Sequence, residues 1–216
     1  MTRRRKCLWI GAAVLAVVLV GGLAFALRFV VPFLPGRAHD RIVITLPFAA
    51  EDDALGLIPM GETVHHPDAP HGHPGIDFSW DHDVPIRASA PGVVTRIARH
   101  EDGRTWDVEV VTGDYAVRYV ELESVSPALS RGARVAQGEC IGRPGHPLDL
   151  PDGNPRHYSI HWEFDYDTFW FDRLSPMTYF DADSRRRIEE IWKRSTWAHK
   201  ARFPEICNSF YAGRDR

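Results

Sequence analysis

The stretch His71-Gly72-His73-Pro74-Gly75-Ile76-Asp77 limits what this chain can fold into more than any other. A Pro-Gly pair cannot continue a helix, so the chain must turn here. The turn carries two imidazoles and a carboxylate in seven residues and can fold His73 and Asp77 toward one point. Both are good ligands for a borderline metal such as zinc. One more nitrogen would complete three protein ligands and leave the fourth tetrahedral position open. Candidates lie far downstream, in His157-Tyr158-Ser159-Ile160-His161-Trp162-Glu163-Phe164.

The aromatic and β-branched content of that second segment, with Pro155 just before it, favours a strand. Alternate residues on a strand share a face at a spacing of about 6.6 Å. His157 and His161 would then stand about 13 Å apart, too far to bind one ion through bonds of about 2.0 Å. On a strand, only one of the two can be a ligand. On a helix, the i,i+4 pair could chelate one ion together, as in HExxH proteases.

The rest of the chain tells where such a centre would sit. An uncharged apolar run over residues 8–27 follows Arg3, Arg4, Arg5 and Lys6. Its length matches the roughly 20 residues that span a bilayer core as a helix. The basic cluster should stay cytoplasmic and the remainder should be exported. Ala24-Phe25-Ala26 also resembles a signal-peptidase site, so a cleaved signal peptide is the rival reading. The further apolar residues 29–34 favour an uncleaved transmembrane anchor over residues 8–34, behind a cytoplasmic segment of residues 1–7. The formal net charge of −3 gives no reason to expect nucleic acid as a partner. Three cysteines are too few for a disulfide scaffold. Cys140 and Cys207 could pair in an oxidising compartment or stay as two free thiols.

Residues 35–70 read as a linker, a first strand over 41–48, and a loop rich in Pro, Gly and acidic residues. Short β-like runs follow at 85–97, 106–111, 115–122, 135–142 and 157–164, separated by turns such as Glu101-Asp102-Gly103 and Gly113-Asp114. With no long helical pattern among them, they indicate a mainly β, antiparallel sheet domain over 71–180. The last part, 181–216, changes character. Ile188, Ile191 and Trp192 fall at helical spacing, with Asp183 as N-cap, and predict a helix packed on the sheet. Trp80, Trp162 and Trp170 read as core or groove wall.

These motifs together resemble the lysostaphin/LytM-type zinc metallopeptidases, which cut peptidoglycan peptides. His73-Pro74-Gly75-Ile76-Asp77 is similar to the family's HxxxD motif, and residues 83–94 and 135–145 are similar to two of its strand motifs. Ser159-Ile160-His161-Trp162-Glu163 is similar to HLHFE, and residues 175–180 to the segment that follows it. The resemblance implies a two-layer antiparallel sheet domain with zinc in a groove, held by His73, Asp77 and His161. It also implies two further histidines that activate water and stabilise the oxyanion. At those positions this chain has Glu121 and Ser159, which leaves Glu121 or His157 as the candidate base. Glu163 would orient His161. The expected protein is a membrane-anchored, extracytoplasmic zinc peptidase. Its alternative is a non-cleaving, zinc-binding relative that binds cell wall or a partner hydrolase.

Overall fold

A computed structural model describes residues 3–29, 41–63, 71–101, 103–145, 157–167, 172–195 and 205–212. The expectations for Trp170, Pro155 and the linker at 35–40 lie outside the described residues. The chain divides into two compact units, Met1–Asp40 and Arg41–Arg216.

In the first unit, helix α1 (Arg3–Phe29) contains the whole apolar run. Among the described residues, however, no helix is long and apolar enough to cross a membrane. The expected transmembrane segment therefore rests on the sequence alone.

The second unit is built on antiparallel strands: β1 (Gly56–Ile58), β2 (Ile76–Trp80), β3 (Ile86–Arg87), β4 (Gly92–Arg99) and β5 (Trp106–Thr112). They are followed by β6 (Tyr115–Val125), β7 (Arg134–Val135), β8 (Cys140–Pro144), β9 (Tyr158–Tyr166) and β10 (Asp172–Arg173). All belong to one hydrogen-bonded network with the order β1-β2-β9-β6-β5-β4-β7; β10 adds to β9, and β3 reaches β6 through β8. The expected two layers are thus joined into a single ten-stranded sheet. The joint is β6, whose C-terminal part pairs with β8 while its longer N-terminal part pairs with β9. Between β5 and β6, Gly113 at φ 58° starts the two-residue turn anticipated at Gly113-Asp114.

Alternation along β9 separates the core from the site. Ile160, Trp162 and Phe164 are buried among apolar residues, while Ser159, His161, Glu163 and Asp165 occupy the other face. Trp162 stacks on Phe180 at 5.8 Å between ring centroids, and Phe48 meets Phe78 and Trp80 edge-on at 5.2 Å each. Burying one such ring contributes about 1.5–3 kcal/mol.

Three expectations about elements need correction. Residues 41–48 form no strand, because only Ile44 bridges to Phe180, yet Ile44, Leu46 and Phe48 are core residues. The stretch 51–63, expected to be loop, contains β1, which completes the sheet edge beside β2. Helix α2 (Ala182–Arg194) is capped by Asp181 rather than Asp183, its carboxylate accepting from Ser184 N at 2.7 Å. Ile188, Ile191 and Trp192 are buried as their spacing predicts. The helix is also tied to residues 46–57: Ser184 Oγ and Ser195 Oγ accept from Leu46 N and Leu57 N, and Arg187 pairs with Asp53 at 2.6 Å. Of the two alternatives for Cys140 and Cys207, the structure has both as free thiols.

Candidate metal centre

Register places the centre. Strands β2 and β9 pair so that Asp77 stands directly opposite His161. His73 precedes β2 and is held by a separate two-bond bridge with Gly61, at 2.8 and 2.5 Å. Its Nδ1 donates to Pro59 O at 2.8 Å, which turns Nε2 toward the other two side chains. His73 Nε2 lies 3.0 Å from His161 Nδ1 and 3.1 Å from Asp77 Oδ1, and His161 Nδ1 lies 2.7 Å from Asp77 Oδ1. Gly75 allows this approach, since a Cβ there would sit 2.8–2.9 Å from the His161 ring.

The donor set fits zinc. Two imidazole nitrogens and one carboxylate oxygen, all within 4.8 Å of one another, form the one such group among the described residues. Neighbouring ligands of a tetrahedral zinc stand roughly 3.3 Å apart for bonds of about 2.0 Å. The observed separations of 2.7–3.1 Å need only a small expansion to reach that.

Burial and charge oppose one another at each ligand. Burial would raise the Asp77 carboxyl, but the charge of His73 and the hydrogen bond from His161 hold it well below the usual carboxylate range. Burial would lower His161, yet its hydrogen bonds to Asp77 and then Glu163 push it up to about 10. Without a cation, the imidazole donates from Nδ1 to Asp77 and from Nε2 to Glu163, and a metal held here would take the place of the proton on Nδ1.

A polar row leads away from the centre across the open face of the sheet. Glu163 accepts from His161 Nε2 at 3.1 Å, and Arg173 Nη2 donates to both its oxygens at 2.8 and 3.0 Å. Arg118 bonds Glu163 at 3.4 Å and Glu109 at 2.9 Å. Beneath them Asp165 is fully buried with no hydrogen bond to either oxygen; Arg118 Nε and Arg173 Nε lie 3.6 and 3.8 Å away. The row opens into a cleft of about 290 Å³ lined by Val120, Glu163, Arg118, Glu109, Arg96 and Arg173, among others. Sequence reasoning found Glu163 but missed Glu109, Arg118, Asp165 and Arg173. Only Asp165 left a trace in the sequence, as the continuation of the alternation 159, 161, 163.

Glu121 is turned out of the core by a β-bulge. Tyr119 pairs with Val108 and Leu122 with Trp106, so two residues of β6, Val120 and Glu121, oppose the single Asp107. Tyr119 and Leu122 point into the core, while Glu121 is exposed with φ 66°. Its neighbour Val120 is the partner of His161. Bulges re-aim side chains in this way, and a positive φ at a non-glycine residue is held only where the surroundings demand it. His157 is not brought to the cluster. It lies beyond the Trp80–Tyr158 end of β9, near enough to Asp81 to act on it electrostatically. Ser159 faces Ser79 and bridges to Gly145. His71 does not ligate; its ring lies against Phe210 at 4.0 Å between centroids.

With this geometry in hand, comparison with known proteins is informative. A model of "Peptidase family M23" matches residues 71–168. No curated protein matches the chain. A chain of the SpoIIQ–SpoIIIAH pore-forming complex is 18% identical, with a TM-score of 0.50 over 70% of this chain and 98% of that one. Csd3 of Helicobacter pylori is 18% identical with a TM-score of 0.48; the match covers 74% of this chain but only 45% of Csd3. The catalytic domain of lysostaphin from Staphylococcus simulans is 18% identical with a TM-score of 0.45, over 56% and 88%.

Proposed function

We propose that this chain, whose residues 71–168 match the model of peptidase family M23, is a membrane-anchored zinc peptidase acting on peptidoglycan peptides. The observation that carries this reading is the convergence of His73 Nε2, Asp77 Oδ1 and His161 Nδ1 beside a cleft, with Glu121 turned out of the core next to Val120. Zinc held by those three atoms supplies Lewis acidity toward a carbonyl and makes water acidic near neutral pH. Asp77 and His161 offer their inner atoms to the metal. Glu163, clamped by Arg173, fixes the His161 ring from behind. Glu121 takes the proton from attacking water and returns it to the departing amine, the part a glutamate plays in HExxH enzymes.

The zinc-loaded full chain, solubilised in detergent, should release new amines from crosslinked muropeptides. Glu121→Gln should cut turnover by about two to four orders of magnitude while zinc content stays at one per chain. Equal turnover in that variant would remove Glu121 from the chemistry.

Residues 8–27 support the anchor, placing the second unit on the extracytoplasmic side. Alkaline carbonate should leave the full chain in the membrane pellet and release a chain lacking residues 8–27; release of both would refute the anchor.

One observation favours a second reading, in which the centre binds cell wall or a partner protein without cleaving. Ser159 stands on the ligand face two residues before His161, where the family resemblance implies an imidazole. The SpoIIQ–SpoIIIAH structure also shows a similar fold inside a two-protein complex. Intact muropeptides after long incubation with the zinc-loaded chain would decide for it.

A further inference from the structure

The residue that aims His73 lies about forty positions beyond the matched domain. Nε2 of His73 faces the other two side chains because Nδ1 donates to Pro59 O, and the His73 backbone is bridged to Gly61. The ligand's direction is therefore set by the short segment 59–62. That segment has a second edge, and the C-terminal residues 206–208 occupy it. Met60 N donates to Ile206 O at 2.9 Å, and Asn208 N donates to Met60 O at 3.0 Å. The buried amide of Asn208 is spent on one residue: Oδ1 accepts from Glu62 N at 2.8 Å, and Nδ2 donates to Glu62 O at 3.3 Å. Gly61, at φ 106°, lies flush against it; a Cβ there would meet Asn208 Oδ1 at 2.6 Å. Two residues on, Phe210 lies against the His71 ring. Segment 59–62 is thus gripped between the ligand-bearing turn and the end of the chain.

We propose that residues 206–210 form a clasp on the metal centre in which Asn208 is the positioning residue for His73, acting through Gly61 and Glu62. The clasp rests on the reading of His73, Asp77 and His161 as metal ligands but not on peptide cleavage. A buried side-chain amide that closes two bonds on one backbone residue fixes that residue more tightly than packing alone, since both bonds must break together. Partners that orient metal ligands contribute about 10- to 100-fold in affinity.

The test is zinc affinity of the full chain in detergent, measured by competition with a chromophoric chelator, alongside thermal unfolding of the metal-free protein. Asn208→Ala should weaken zinc about 10- to 100-fold. Asn208→Asp, which keeps the acceptor for Glu62 N but loses the donor to Glu62 O, should recover only part of that loss. Phe210→Ala, at an exposed position, should weaken zinc several-fold with unchanged metal-free unfolding. Wild-type affinity in both Asn208→Ala and Phe210→Ala overturns the clasp and leaves the metal centre standing. If Asn208→Ala fails to fold, Phe210→Ala decides alone, with the same two outcomes. A wild-type chain that takes up no zinc overturns the metal centre and the clasp with it.

Discussion

Asp165 is the least favourably placed carboxyl among the described residues. Its side chain is fully buried, neither oxygen has a hydrogen bond, and its arginine partners stand no nearer than 3.6 Å. Burial first, and then the neighbouring Glu163 carboxylate, push it up to about 7. A carboxyl raised in the fold is neutral there while it already ionises in the unfolded chain. Stability is therefore lost as pH rises from the ordinary aspartate range near 4 toward 7, and the cost is complete above that. Asp165→Asn should raise the melting temperature most at pH 8, less at pH 5 and little at pH 3.5; an equal shift at all three would mean the group is ionised throughout. Sequence alone singled out His73, Asp77 and His161 as candidates because two motifs carry three ligand-type side chains, and the fold brings the three together. Sequence could not reveal Arg118 or Arg173, whose importance comes from neighbours on other strands, and of Asp165 it showed only a place in the alternation. The choice between His157 and His161 illustrates the limit. Spacing forbade both, but only the Asp77–His161 register selects one.

At the scale of elements, strands with alternating patterns were legible and segments shaped by their neighbours were not. Strands β5, β6 and β9 lie close to where alternation and turns place them, since one buried face imposes a period of two. The segment 41–48 has the composition of a strand, but Ile44 gains only a bridge and the residues are spent filling the core. Strand β1 has no alternation because three residues are too few to show one. Helix α2 was found by the spacing of its apolar face, while its cap was misplaced by two residues. Asp181→Ala should cost about 1 kcal/mol by removing the acceptor for Ser184 N. Asp183→Ala should cost less, as Asp183 is an exposed partner of Arg186. Chemical denaturation of the two variants orders them, and the reverse order would restore Asp183 as the cap.

The molecule as a whole is larger than its recognisable motif. Motif matching covers residues 71–168, whereas the compact unit runs from Arg41 to Arg216 and draws core residues from both ends, among them Ile44, Leu46, Phe48, Ile188, Ile191 and Tyr211. Residues 41–216 should therefore unfold in one cooperative transition, while residues 71–180 alone should show none in denaturant followed by tryptophan fluorescence. Cooperative unfolding of the shorter piece would show that the flanks are accessory. The sequence by itself determined the ligand types, the β character and the apolar N-terminal run, because those are properties of neighbouring residues and their period. Tertiary structure alone decided which histidine meets Asp77, how a bulge turns Glu121 outward, and that the chain's end grips the turn bearing His73. Each depends on register between segments far apart in the chain, and hydrogen bonding and packing set that register only when the sheet closes.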